Sequence, residues 1–141
     1  MNDLVFNNFS LALNDIISLN KFTENYGLSL TKEQAINLVK NRNTVLKDIG
    51  RIEIGGGILE KLIYEFYDST YIDKYSYLET LIKLTDIFYL YQGEFDYKLT
   101  DEQIIKYMRS KFEKYCGSLE LLEGICFEEL KENSFNESCL Y

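Results

Sequence analysis

Gly50-Arg51-Ile52-Glu53-Ile54-Gly55-Gly56-Gly57-Ile58-Leu59-Glu60-Lys61-Leu62-Ile63-Tyr64-Glu65-Phe66-Tyr67 is the stretch whose local chemistry is least ordinary. After the glycines, Ile58, Leu59, Leu62, Ile63 and Phe66 fall on one helical stripe, while Glu60, Lys61 and Glu65 take the opposite face. That spacing predicts an amphipathic helix running to about Tyr67. Inside a helix each glycine costs about 1 kcal/mol relative to alanine, so three in a row at a helix start need a reason. Three are open: close approach of a neighbouring group where no Cβ stands, anion binding by free N–H groups at a helix N-terminus, and a hinge. Neither the Gly-Lys-Ser/Thr ending of a phosphate loop nor a G-x-G-x-x-G fingerprint is present, which weakens the anion reading. The alternating run Arg51 to Ile54 reads as a turn of extended chain or as the entry to this helix.

Outward from this stretch the chain punctuates itself as helices. A first helix is expected over 10–26, with Leu11, Leu13, Ile16, Ile17, Leu19 and Phe22 inward and Gly27 as its terminator. Thr31-Lys32-Glu33-Gln34 is a capping box, opening a second helix that Gly50 ends. Its stripe is Ala35, Leu38, Val39, Val45, Leu46 and Ile49, and Arg42 falls in the middle. Arg42 either snorkels along the apolar face or is buried against a carboxylate, with Glu53 and Glu60 as candidates. A fourth helix over 76–91 is apolar nearly all round and should be central. Thr100-Asp101-Glu102-Gln103 is a second capping box, opening a fifth helix with Ile104, Ile105, Met108 and Phe112 inward. A sixth is expected over 119–132, burying Leu119, Leu122, Ile125, Cys126 and Leu130. The prediction is an all-α, compact irregular bundle of about six helices in one domain, 10–132. A loosely held N-terminus, 1–9, and a disordered tail, 133–141, flank it. Absence of proline from all 141 residues agrees with long helices and short loops.

Composition excludes several kinds of chemistry. There is no histidine, which removes the commonest general base, the commonest metal ligand and every Ser-His or Cys-His nucleophile. Glu94, Asp96, Asp101 and Glu102 do not match a calcium loop, so no metal site is expected. No cofactor is called for either. Fifteen basic residues against 23 acidic ones give a net charge of −8 with no basic stripe, which speaks against nucleic acid and anionic membrane surfaces. No apolar run is long enough to span a bilayer. The three cysteines, Cys116, Cys126 and Cys139, have neither a metal nor a disulfide spacing, and imply free thiols in a cytoplasmic setting.

Between Leu30 and Leu130 several pieces carry a resemblance. They are Thr31, Arg42-Asn43, Gly50-Arg51, Glu53, Gly55-Gly56-Gly57-Ile58-Leu59-Glu60-Lys61-Leu62, Asp68-Ser69, Tyr71-Ile72, Gly117-Ser118-Leu119-Glu120 and Glu123-Gly124. On these the chain resembles a family of small bacterial, clostridia-like proteins known as a domain of unknown function. The resemblance implies a helical, cytoplasmic bacterial protein and supplies no catalytic residue.

Two functional readings follow. The first is a non-catalytic interaction or adaptor protein, binding an unidentified protein partner or a second copy. Eight of the twelve tyrosines lie between Tyr64 and Tyr97, and Tyr64, Tyr67, Tyr71 and Tyr75 are the candidate surface. The second is a pocket for a small molecule or anion, or an enzyme site, built from Arg42, Arg51, Glu53, Glu60 and the turn Gly55, Gly56 and Gly57. That reading requires these side chains to converge on one cleft; if Arg42 and Glu53 close on each other, they are structural.

Overall fold

A helix with apolar residues on almost every side has to be surrounded, and Tyr77–Glu94 (α5) is. A computed structural model describes residues 3–124, with side chains from residue 8 onward. Ahead of α5 come Asp3–Ser18 (α1), the four-residue Asn20–Thr23 (α2), Lys32–Asp48 (α3) and Ile58–Phe66 (α4). After it come Asp101–Lys114 (α6) and Leu119–Gly124 (α7), and short 3-10 turns lie at Glu24–Tyr26 and Lys74–Ser76. Among the described residues the fold is all-helical, and each of the six expected helices has its counterpart.

α5 packs against α3, α4, α6 and α7; α1 lies on α3 and α4, and α4 on α6. One apolar cluster joins residues from Ala12 to Leu122. On α5, Tyr77, Leu81, Leu84, Phe88 and Tyr91 are buried, and so are Thr85 and Tyr89 on the second stripe. Thr85 Oγ1 donates back to the Leu81 carbonyl at 2.7 Å, so its hydroxyl is buried without losing a partner. The Tyr91 hydroxyl donates to the Leu122 carbonyl and ties α7 to the centre. Phe66 and Phe112 meet edge to face at 5.3 Å between α4 and α6.

Both capping boxes form. Thr31 Oγ1 accepts from Gln34 N at 3.1 Å while Gln34 Oε1 accepts from Thr31 N at 2.9 Å. Thr100 and Gln103 repeat the arrangement at 3.1 and 2.9 Å. At the end of α3, Gly50 N–H donates to the Lys47 carbonyl and Arg51 N–H to that of Leu46, the paired bonds of a Schellman motif, with Gly50 at φ 70°.

Three boundaries differ from the sequence reading. The first helix begins at Asp3 rather than 10 and breaks at Leu19 instead of running to 26. The break has a local cause: the Asn20 side chain bonds both the N–H and the carbonyl of Leu30, and Thr23 Oγ1 donates to the Leu28 carbonyl. Side chains that hold backbone further along compete with the helix. Leu11 and Phe22, expected inward, are exposed. α5 continues past 91 through Glu94, because Gln92 and Phe95 are buried. Ile49, expected on the α3 stripe, is exposed beyond the helix end. The expectations for Ile125, Cys126, Leu130, Cys139 and the tail 133–141 lie outside the described residues.

Candidate functional site

Between the end of α3 and the start of α4, residues 51–54 are irregular and their exposure alternates, sending neighbours opposite ways. Ile52 and Ile54 face solvent, 80% and 72% exposed. Glu53 points inward. Its Oε1 accepts from Ile58 N–H at 3.0 Å, the first helical residue of α4, and its Oε2 accepts from the Tyr89 hydroxyl on α5. Gly57 at the N-cap has no side chain to do this, so Glu53, five positions before Ile58, supplies the capping carboxylate. Burial first, then the bond to Glu53 and its charge, push the Tyr89 hydroxyl far above the usual tyrosine range, so it stays protonated and donates.

Arg42 comes from α3 into the same place and is 0% exposed. Its Nη1 donates to the carbonyls of Gly55 at 2.9 Å and Gly56 at 3.1 Å and lies 3.5 Å from Glu53 Oε1. Its Nε donates to Asn43 Oδ1 at 3.0 Å; Nη2 has no hydrogen-bond partner among the described residues. A buried charge requires compensation, and here a carboxylate and two carbonyl dipoles provide it. Of the two carboxylates considered for Arg42, Glu53 is the partner.

The turn amides are held from α1. Gly55 N–H donates to Asn8 Oδ1 at 2.8 Å, Asn8 Nδ2 donates to the Glu53 carbonyl at 2.8 Å, and Gly56 N–H donates to Asp15 Oδ2 at 2.9 Å. Conformation favours glycine at Gly55 and Gly57, with φ of 62° and 51°, and a carboxylate oxygen stands where each Cβ would go. A Cβ on Gly55 would stand 2.6 Å from Asp15 Oδ2, and one on Gly57 2.4 Å from Glu53 Oε1. Close approach is therefore what the triple glycine serves in this geometry. The donor groups an outside anion would use at Gly55, Gly56 and Ile58 are engaged by Asn8, Asp15 and Glu53.

The charged candidates separate. Arg42 and Glu53 close on each other and on the glycine turn. Arg51 goes elsewhere: its Nη1 donates to Gln92 Oε1 and its guanidinium lies 5.5 Å from the Tyr97 ring centre. Glu60 turns to Asp15, and its carboxyl is raised by burial first and then by the charge of Asp15 and a hydrogen bond with it. Arg42 and Glu53 thus pair with each other, Arg51 with Gln92 and Glu60 with Asp15; of the four, Arg51 alone lines the cavity described below. Asn8, Asp15, Tyr89 and Gln92 complete the arrangement without having been singled out in the sequence; nothing in their local context marks them.

The tyrosine candidates also divide. Tyr64 meets Phe22 at 6.0 Å, and Tyr67 meets Tyr26 edge to face at 5.0 Å, so α4 and the α2 region build one aromatic face. Tyr71 lies against Phe112 at 6.4 Å, and a Cβ on Gly117 would stand 2.6 Å from its own Cβ. Tyr75 stands alone in the Lys74–Ser76 turn with Lys74 5.0 Å from its ring. A cavity of about 440 Å³ opens outside the glycine turn, lined in part by Arg51, Ile52 and Ile54.

Residues 15–138 match the model of a family of unknown function, DUF6323. The chain belongs to this family. Neither a curated protein nor a solved structure matches it. The family match takes in Asp15, Arg42, Glu53, the glycine turn and Tyr89, and leaves Asn8 outside. Among the described residues no helix is long and apolar enough to cross a membrane, and no group of three or more acidic or cysteine side chains could hold a metal ion.

Proposed function

We propose that the chain is a non-catalytic, bacterial cytoplasmic interaction protein, docking an apolar, basic protein surface on the face formed by Phe22, Tyr26, Tyr64 and Tyr67. The observation that carries this reading is the pair of aromatic contacts bridging the α2 region and α4, in which Phe22, Tyr26 and Tyr64 remain between 43% and 56% exposed. Rings held by one another lose little freedom on binding, and tyrosine brings apolar area with a polar tip. A net charge of −8 opposes self-association and favours a partner of opposite charge. Glu24, exposed beside these rings in the sequence, supplies an acidic flank, whereas Asp68 is paired with Arg109 and Lys21 lies 5.1 Å from the Phe22 ring. The closed Arg42–Glu53 contact supports the non-catalytic half of the reading, since neither group is presented to a substrate. The cytoplasmic setting rests on cysteine spacing; Cys116, the one cysteine among the described residues, is a free thiol.

The test is affinity purification from the native host of the wild type, a Tyr26→Glu/Tyr64→Glu double variant and Tyr75→Glu, with circular dichroism to verify helicity. A stoichiometric basic partner should accompany the wild type and Tyr75→Glu and be lost from the double variant. Retention of the partner by a folded double variant would remove this face, and a wild type that only self-associates in sedimentation would replace the partner with a second copy.

A further inference from the structure

We infer that the cavity outside the glycine turn is a binding site for a small amphipathic carboxylate, one with an apolar body and a single anionic head. The volume, about 440 Å³, falls within the range of small-ligand sites, which run from roughly 300 to 1,000 Å³. Its apolar wall is Phe9 from α1, Leu46 from α3, and Ile52 and Ile54 from the segment between α3 and α4. Ile52 and Ile54 are held out because Glu53 between them is pinned inward by Ile58 N–H and Tyr89. The segment therefore presents two isoleucines beside a concavity and has no freedom to turn them in.

Charge selects the head group. The chain has 23 acidic residues against 15 basic ones, yet among the described residues the cavity lining holds Lys47 and Arg51 and no carboxylate. Lys47 is exposed and forms no ion pair among the described residues. Arg51 also lines the cavity, with its guanidinium engaged by Gln92 and Tyr97. Two amides, Asn8 and Asn43, complete the polar part of the wall. Both are already oriented, Asn8 by its bonds to Glu53 and Gly55 and Asn43 by Arg42 Nε. A preformed wall avoids much of the ordering cost of binding. This site shares no residue with the aromatic face and does not depend on it.

The experiment titrates the full-length protein with decanoate and, separately, 1-decanol by isothermal calorimetry below their aggregation limits, with thermal unfolding in parallel. Decanoate should bind saturably at one site and raise the melting temperature, as any ligand selective for the folded state does. Decanol should bind about tenfold more weakly, the order expected when one charge-assisted contact is lost. Lys47→Glu and Ile52→Glu, at exposed positions, should keep wild-type circular dichroism and each weaken decanoate by about tenfold or more. Absence of saturable binding, or affinity unchanged in both variants, would overturn the inference. Binding to phosphatidylglycerol vesicles without binding to free decanoate would overturn it as well, since the ligand would then be a membrane surface.

Discussion

Gly57 sits at φ 51° and ψ −125°, a conformation open in practice to glycine alone, with Glu53 Oε1 and Arg42 Nη1 where a Cβ would point. Gly50, at φ 70°, also has a positive φ but nothing within 4 Å of an added Cβ. The two glycines should therefore respond differently. Gly50→Asn, a residue that tolerates the left-handed region, should cost well under about 1 kcal/mol. Gly57→Ala combines backbone strain of about 1–3 kcal/mol with displacement of the carboxylate that caps α4, and should cost at least the upper part of that range. Urea unfolding midpoints compare them directly. Equal losses at both positions would mean that the Glu53 contact at Gly57 is not a constraint.

α1 and α4 meet through a carboxyl pair, Asp15 and Glu60, beside the turn both help to shape. Folding raises the Glu60 carboxyl above its ordinary value of 4.5, through burial first and then Asp15. The folded state then binds that proton more tightly than the unfolded one, so this group's contribution to stability falls as pH rises from about the ordinary value through the raised one. Once ionised, Glu60 carries the cost of its burial beside Asp15, screened because Glu60 is partly exposed. Glu60→Gln should accordingly stabilise the protein at pH 7 by up to about 1 kcal/mol and by progressively less as pH falls toward 4. Thermal melts of wild type and variant across this range measure the difference, and a variant less stable at pH 7 would contradict it. The elements themselves were largely legible in the sequence, since capping boxes, glycine terminators and apolar stripes are local signals. Thr31, Thr100, Gly27 and Gly50 do in the fold what their types suggest. The end of α5 was harder to read because Asp96 at φ 52° adopts the left-handed conformation without being glycine. The partners of the glycine turn left no local trace. Asn8, Asp15 and Tyr89 reach it from 36 to 47 residues away, and only the packing of α1 and α5 brings them there.

At the scale of the whole molecule, Arg42 and Glu53 join α3, the glycine turn, α4 and α5 in one contact. Stretches that look chemically active in a sequence need not be presented to anything. Here the sole buried arginine among the described residues and the residues that looked like its ligand site hold four elements in register. The proposed functions rest instead on the outer surfaces, the aromatic face and the cavity beside Ile52 and Ile54. The claim stands on stability, so the deciding measurement is a double-mutant cycle in urea with Arg42→Met, Glu53→Gln and the pair. Each single variant should lose about 3–5 kcal/mol, as when one partner of a buried ion pair is removed, and the double variant should lose clearly less than the sum. Single variants that unfold within about 0.5 kcal/mol of the wild type would contradict a structural role and return both residues to the list of candidates for chemistry.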